Sequence, residues 1–272
     1  SRLRTEPFAE EDLSHDAFLG GRLRMAQPKT GYRAGVDPVL LAASVPARAG
    51  QSLLDLGCGS GIAALCVASR VPGVTLAGLE IQAAYAALAR QNSASNGITL
   101  EVFEGDIADM PASLRRRQFD HVIANPPYFE RDRSTPASDT GREKAMGEAL
   151  PLADWVHAAA RRTGVGGTVT FIQRVERLPD LLAAMATHLG SIEILPLTPR
   201  RGRAARLILL HCDCTMVGCF TRVKIMGRMG QITPLQPRMC SGTQQRCLFR
   251  IDFSKMPQAK RRAVCRCSVT VL

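Results

Sequence analysis

From Gln51 onward, apolar β-rich stretches alternate with Ala- and Leu-rich stretches of helical length. Strands are predicted at Ser52 to Leu56, Val74 to Glu80, Thr99 to Glu104, His121 to Ala124, Gly167 to Gln173, Ile192 to Leu197 and Ala205 to Leu210. Helices are predicted at Ile62 to Arg70, Ala83 to Ser95, Leu152 to Arg162 and Arg177 to Leu189, with Pro72, Asn96-Gly97, Gly164 and Gly190 as stops. Such alternation predicts an α/β fold, a seven-stranded, mostly parallel sheet covered by helices on both faces. Ahead of it, residues 1–50 form an amino-terminal segment. There Gly20-Gly21 reads as a hairpin turn, and Asp37 to Ala43 as a short helix with Pro38 near its start.

Composition then divides the chain. Its 272 residues, 46% hydrophobic and 22% charged, supply an ample core and exclude a disordered chain. No apolar run approaches the roughly 18 residues that cross a bilayer, so no membrane span is expected. Ser1 to Asp16 lack an apolar segment followed by a small-residue cleavage site, and the chain reads as cytoplasmic. The net charge is +11, yet Cys212 to Leu272 hold 11 basic and two acidic residues, leaving the first 211 nearly balanced. Seven of the nine cysteines crowd the same tail, while Cys58 and Cys66 read as small apolar packing. The organisation expected is therefore 1–50, a main domain over 51–211, and an atypical Cys/Arg-rich tail over 212–272. C-x-C pairs at Cys212/Cys214 and Cys265/Cys267 lack the spacing of common zinc sites, so no metal is assigned. The tail shows no strand or helix period and is expected to be poorly ordered, an out-of-frame reading or a replaced end.

Leu53-Leu54-Asp55-Leu56-Gly57-Cys58-Gly59-Ser60-Gly61 runs an apolar strand into G-x-G-x-G ahead of a helix. Glycines there let a ligand press against backbone amides at the helix start. A dinucleotide fingerprint needs its third glycine where this chain has Ile62, which argues against a nicotinamide cofactor. Glu80 ends the second strand, where an acid accepts both hydroxyls of a ribose, and Asp106 follows the third, placed to meet an adenine or cap the next helix. The arrangement resembles the Rossmann-like, S-adenosylmethionine-dependent methyltransferases of the seven-strand class. That resemblance implies S-adenosyl-L-methionine as cofactor. Asp55, Gly57, Gly59 and Gly61 would hold its methionine part, Glu80 its ribose, and Asp106 would lie beside its adenine.

After the fourth strand comes Asn125-Pro126-Pro127-Tyr128. A planar amine conjugated with a ring is a poor nucleophile because its lone pair is delocalised. The Asn125 side-chain oxygen and the Pro126 carbonyl can each accept one N–H and turn that lone pair toward a methyl donor. Pro127 stiffens the loop, and Tyr128 offers a stacking face. In the methyltransferases that it resembles, the motif marks transfer to a planar nitrogen, either adenine N6 in nucleic acid or the amide of a protein glutamine.

From about Phe18 to Leu210, including Gly31-Tyr32-Arg33-Ala34-Gly35-Val36-Asp37 and the Gly141 to Trp155 stretch, the chain is similar to the tRNA1(Val) adenine-37 N6-methyltransferase family. The resemblance implies adenine in RNA, a tRNA anticodon loop, as the partner, and a lid helix that makes Tyr32 and Asp37 candidate lid residues. Protein-glutamine N5 methylation and an inactive RNA-binding module are the competing readings. The first usually has a separate helical domain, for which about 50 residues are too few. RNA would be gripped through phosphates by Arg131, Arg133, Arg142, Lys144, Arg200, Arg201 and Arg203. The sequence does not reveal an oligomeric partner.

Overall fold

A computed structural model describes residues 4–127, 150–200 and 203–213, and the backbone of 222–225 and 268–271. In chain order its elements are β1 (Leu13–Phe18), β2 (Leu23–Pro28), α1 (Asp37–Ser44), β3 (Ser52–Leu56), α2 (Ile62–Arg70), β4 (Thr75–Glu80), α3 (Ala83–Ser95), β5 (Leu100–Glu104) and α4 (Ala112–Arg115). Then follow β6 (Phe119–Ala124), α5 (Leu152–Arg162), β7 (Thr163–Arg174), α6 (Leu178–Met185), β8 (Gly190–Leu197), β9 (Leu207–Asp213), β10 (Arg222–Ile225) and β11 (Ser268–Val271). All seven predicted strands join one sheet, in the order β11-β10-β8-β9-β7-β6-β3-β4-β5. Every pairing in it is parallel except those of β9, which runs antiparallel to β7 and β8.

Successive residues of a strand face opposite sides, and the core divides accordingly. Leu53 packs with Leu41 and Val45 near α1 and with Leu65 of α2, whereas Leu54 and Leu56 pack with Val156 of α5 and Leu181 of α6. Helices thus cover both faces of a Rossmann-like sheet. The amphipathic pattern misses α4, whose four residues are too short to show a period.

The ends of the sheet depart from expectation. β7 begins at Thr163, four residues early, directly after α5 without a connecting loop. β9 continues past residue 211, the expected domain boundary, and buries Cys212 in the main core. Among its described residues the tail, read as lacking strands, contributes two: β10 pairs parallel with β8, and β11 with β10. The remaining tail cysteines, Cys214, Cys219, Cys240, Cys247, Cys265 and Cys267, lie outside the described residues.

β1 and β2 form the expected hairpin, turning through Gly20 and Gly21, both at positive φ. Its outer edge is met by α3. Asn92 Oδ1 accepts the Ala26 N–H at 2.7 Å and its Nδ2 donates to the Ala26 carbonyl at 3.1 Å; Asn96 does the same for Arg24 at 2.9 and 2.8 Å. One helical turn between the asparagines matches two residues along the strand, so the side chains imitate a neighbouring strand. Asn92 Nδ2 also donates to the Ser60 carbonyl at 3.0 Å, tying the hairpin to the glycine loop.

Candidate active site

Strand register decides where the expected residues meet. Leu56 of β3 lies opposite Leu79 of β4 on one side and Ala124 of β6 on the other. Gly57, Glu80 and Asn125 are each the next residue along those parallel strands. The glycine loop, the acid and the amine-recognition loop therefore arrive together at the carboxyl edge of the sheet, where open α/β sheets bind ligands.

Gly57, Gly59 and Gly61 take φ of +68°, +55° and +83°, in the left-handed region that glycine adopts without strain. Gly57 meets a second constraint: a Cβ there would stand 2.6 Å from Cη2 of Trp155, whose indole projects from α5 onto the loop. The Gly57 and Cys58 amides donate to the Leu79 carbonyl at 2.8 and 3.0 Å, tying the loop to β4.

Beneath the loop, Asp55 is 3% exposed and its Oδ2 has no hydrogen-bond partner. Burial, aided by the charge of Glu80 and opposed by the Ala64 amide, pushes its carboxyl up to about 8. Glu80 is also buried, and both its oxygens are engaged: Oε2 accepts the Gly59 N–H and Oε1 the Gln82 N–H, each at 2.9 Å. Burial raises its pKa, while those amides hold it down. A carboxylate expected to serve a ribose thus first shapes the glycine loop, and the second lone pair on each oxygen keeps it available as an acceptor.

Asp106 is exposed at the end of the turn leaving β5, and its Oδ1 accepts the Ala108 N–H at 2.8 Å. It closes a local turn and does not cap a helix, since α4 begins only at Ala112. Tyr32 lies over the loop, its Cε1 3.8 Å from where a Gly59 Cβ would stand. The Tyr85 hydroxyl receives the Tyr32 N–H and donates to the Tyr32 carbonyl, both at 3.1 Å. Tyr32 is 54% exposed as a residue, but desolvation of its hydroxyl, followed by the charges of Asp37 and Asp55, still raises its pKa. Asp37, Asp55 and Glu80 thus all lie near enough to the Tyr32 hydroxyl to act on it.

On the other flank, Asn125 is partly buried, and its Oδ1 is fully buried with no hydrogen-bond partner. Pro126 is buried and Pro127 exposed. The Pro126 carbonyl, expected to accept one N–H of a substrate amine, also accepts an N–H from Gln173 Nε2 at 3.2 Å, so one of its lone pairs is taken. Tyr128, Arg131, Arg133, Arg142, Lys144 and Arg201 lie outside the described residues.

The model of the methyltransferase small domain family matches residues 34–140. The tRNA1(Val) (adenine(37)-N6)-methyltransferase of Porphyromonas gingivalis is 31% identical over 188 residues, covering 64% of this chain and 71% of that protein. Its counterpart in Actinobacillus succinogenes is 31% identical over 200 residues, covering 72% and 82%. The chain belongs to this methyltransferase family. Among solved structures, a predicted O-methyltransferase from Agrobacterium tumefaciens superposes with a TM-score of 0.56 at 26% identity, over 70% of this chain and 84% of that one. The 16S rRNA N2 G1207 methyltransferase of Thermus thermophilus shares the fold, with a TM-score of 0.53 at 18% identity over 74% and 50%.

The cofactor of this methyltransferase is S-adenosyl-L-methionine. The residues present fit it: a glycine loop left open at Gly59, where a Cβ would meet Tyr32 at 3.8 Å, an unpartnered buried carboxylate oxygen on Asp55, and the Glu80 carboxylate at the Gly59 amide.

Two residues at this edge escape the sequence motifs. Gln173 is fully buried in β7, and besides holding Pro126 its Oε1 accepts the Arg174 N–H at 2.9 Å. Its signal is a polar side chain closing the apolar run Val169-Thr170-Phe171-Ile172. Trp155 is signalled by being the chain's one tryptophan.

Proposed function

We propose that this enzyme transfers a methyl group from S-adenosylmethionine to the N6 amine of an adenine in RNA, working in the cytoplasm on the anticodon loop of a tRNA. The observation that carries the reading is the Asn125 side-chain oxygen, buried and unpartnered one residue beyond Ala124, which pairs with Leu56 just before the glycine loop. Such an acceptor is satisfied by an incoming N–H. The substrates named for the relatives from Porphyromonas and Actinobacillus support adenine as its source.

When bound, the cofactor supplies an electrophilic methyl group on a cationic sulfur. Asp55 would hold its ammonium and Glu80 its ribose, with Asp106 bordering the adenine and Tyr32 the glycine loop. Asn125 Oδ1 would accept one amine hydrogen, and the remaining lone pair of the Pro126 carbonyl the other. These bonds would localise the lone pair on the nitrogen by drawing it out of conjugation with the ring. Held in this way by Asn125 and Pro126, the amine nitrogen would face the methyl group that the bound cofactor supplies. The protein's work is alignment, with reacting atoms held about 3 to 3.5 Å apart.

Incubating unmodified tRNA with the enzyme and methyl-labelled cofactor, then digesting to nucleosides for mass spectrometry, tests this. Labelled N6-methyladenosine is expected. Label in a glutamine-containing peptide instead would make the substrate a protein, and label in neither would leave a non-catalytic RNA-binding module.

A further inference from the structure

Between β8 and β9 the chain turns at the same carboxyl edge as Asn125. Leu197 at the end of β8 pairs with Leu207 at the start of β9, and Leu207 pairs on its other side with Arg174 at the end of β7. Pro199, Arg200, Arg203, Ala204 and Arg206 line a cavity of about 580 Å³ there. Backbone bonds fix its frame: the Arg203 N–H donates to the Arg200 carbonyl at 3.1 Å, Arg206 N–H to Leu197 at 3.2 Å, and Val175 N–H to Arg206 at 3.1 Å. All three arginines are exposed. Among the described residues none of their guanidiniums has an ion pair or a side-chain hydrogen bond, whereas Arg177, near the same edge, is held by Asp180 at 3.3 Å.

Three unpaired guanidiniums within seven residues, with no acid between residues 198 and 206, form a local positive field that an anion would relieve. The planar fork of arginine matches the paired oxygens of a phosphate. The cavity's place says which phosphate. Gln173 reaches Pro126 on one side of β7, and two residues later Val175 bonds to Arg206 on the other. The arginines thus begin two strand spacings, about 10 Å, from the amine-recognition loop. That is close enough for the backbone of the nucleotide being modified or of its neighbour. An adenine can reach Asn125 only by leaving its stack, which requires the flanking backbone to be gripped.

We infer that the cleft formed by Arg200, Arg203 and Arg206 binds the RNA phosphodiester backbone flanking the target adenine. This rests on the RNA reading above, and it adds Arg206, which no sequence motif had marked.

The test uses the full chain and a fluorescent anticodon stem-loop RNA, followed by anisotropy over a range of salt concentrations. The triple change Arg200→Gln, Arg203→Gln, Arg206→Gln is expected to weaken RNA binding about tenfold or more near 0.1 M salt. It should also lower the slope of log affinity against log salt by about 2, roughly 0.7 for each single-strand phosphate released. KM for RNA should rise with kcat little changed, and S-adenosylmethionine affinity by calorimetry should match wild type. The corresponding triple lysine variant, which keeps the charge, should recover most of the binding. Wild-type RNA affinity and salt slope in the glutamine variant would overturn the assignment while leaving the RNA reading intact, as would a lysine variant as weak as the glutamine one. If wild-type enzyme methylates no RNA, the underlying reading fails, visibly before any variant is made, and the cleft assignment falls with it.

Discussion

Asn125 carries an oxygen that the folded chain leaves unsatisfied, and a buried acceptor without a donor costs about 1–3 kcal/mol. Removing it should relieve that cost while disabling the chemistry. Asn125→Ala is therefore expected to lower kcat on the order of 10²-fold or more, as loss of one positioned hydrogen-bonding group does elsewhere. Cofactor affinity should stay unchanged and the unfolding temperature should not fall. A parallel loss of stability would mean the side chain holds the loop and not the substrate. Glu80 fails differently. Its two oxygens face two N–H donors, so Glu80→Gln must turn its amide NH2 against one of them. Loss of a hydrogen bond to a charged group, about 1.5–3 kcal/mol, predicts cofactor binding weaker by roughly 10- to 150-fold in calorimetry. Unchanged affinity would remove Glu80 from the site. Both residues are legible in the sequence because each ends or follows a strand within a local motif. Gln173 is not, because its partner lies 47 residues away and only the β6–β7 register brings them together.

At the scale of elements, the seven strands and the helices α2 and α3 follow from periodicity and their stop residues, whereas α5 follows from periodicity alone, its expected stop Gly164 lying within β7. What escapes is decided by neighbours: β7 lengthens because α5 hands directly into it, and β10 depends on the edge that β8 offers. The contact of α5 with the glycine loop belongs to this class. Gly57→Ala puts a methyl group into the Trp155 indole and holds alanine at φ +68°. Backbone strain alone costs about 1–3 kcal/mol, so the variant should unfold at a lower temperature and move α5 off the loop. With one tryptophan in the chain, emission reports this contact directly. The alanine variant should shift the spectrum, and a spectrum identical to wild type would mean the indole does not rest on Gly57. Asp106, expected to serve the adenine or a helix, shows how a short polar residue after a strand is read equally well as a local turn.

For the whole molecule, the buried Asp55 makes stability depend on pH. Its pKa rises from 3.8 to about 8 on folding, so between those values the native state keeps a proton that the unfolded chain has released. Stability of the cofactor-free enzyme should then fall as pH climbs from about 4 toward 8, and Asp55→Asn should flatten the decline. A bound ammonium would favour the ionised carboxylate, so the rise in unfolding temperature given by S-adenosylmethionine should widen over the same range. Thermal melts with and without cofactor from pH 5 to 8 decide it; a gap independent of pH would place the ammonium elsewhere. The division of charge between body and tail is plain in composition, but composition cannot say that three arginines of the nearly neutral body gather at one edge. The asparagine pair of α3 has a broader meaning. Because Asn92 grasps both the hairpin and the Ser60 carbonyl, the β1–β2 hairpin acts as a brace on the cofactor cradle. Cleaving the chain at the Gly20-Gly21 tip would accordingly cost the enzyme its grip on small molecules long before it cost the sheet its shape.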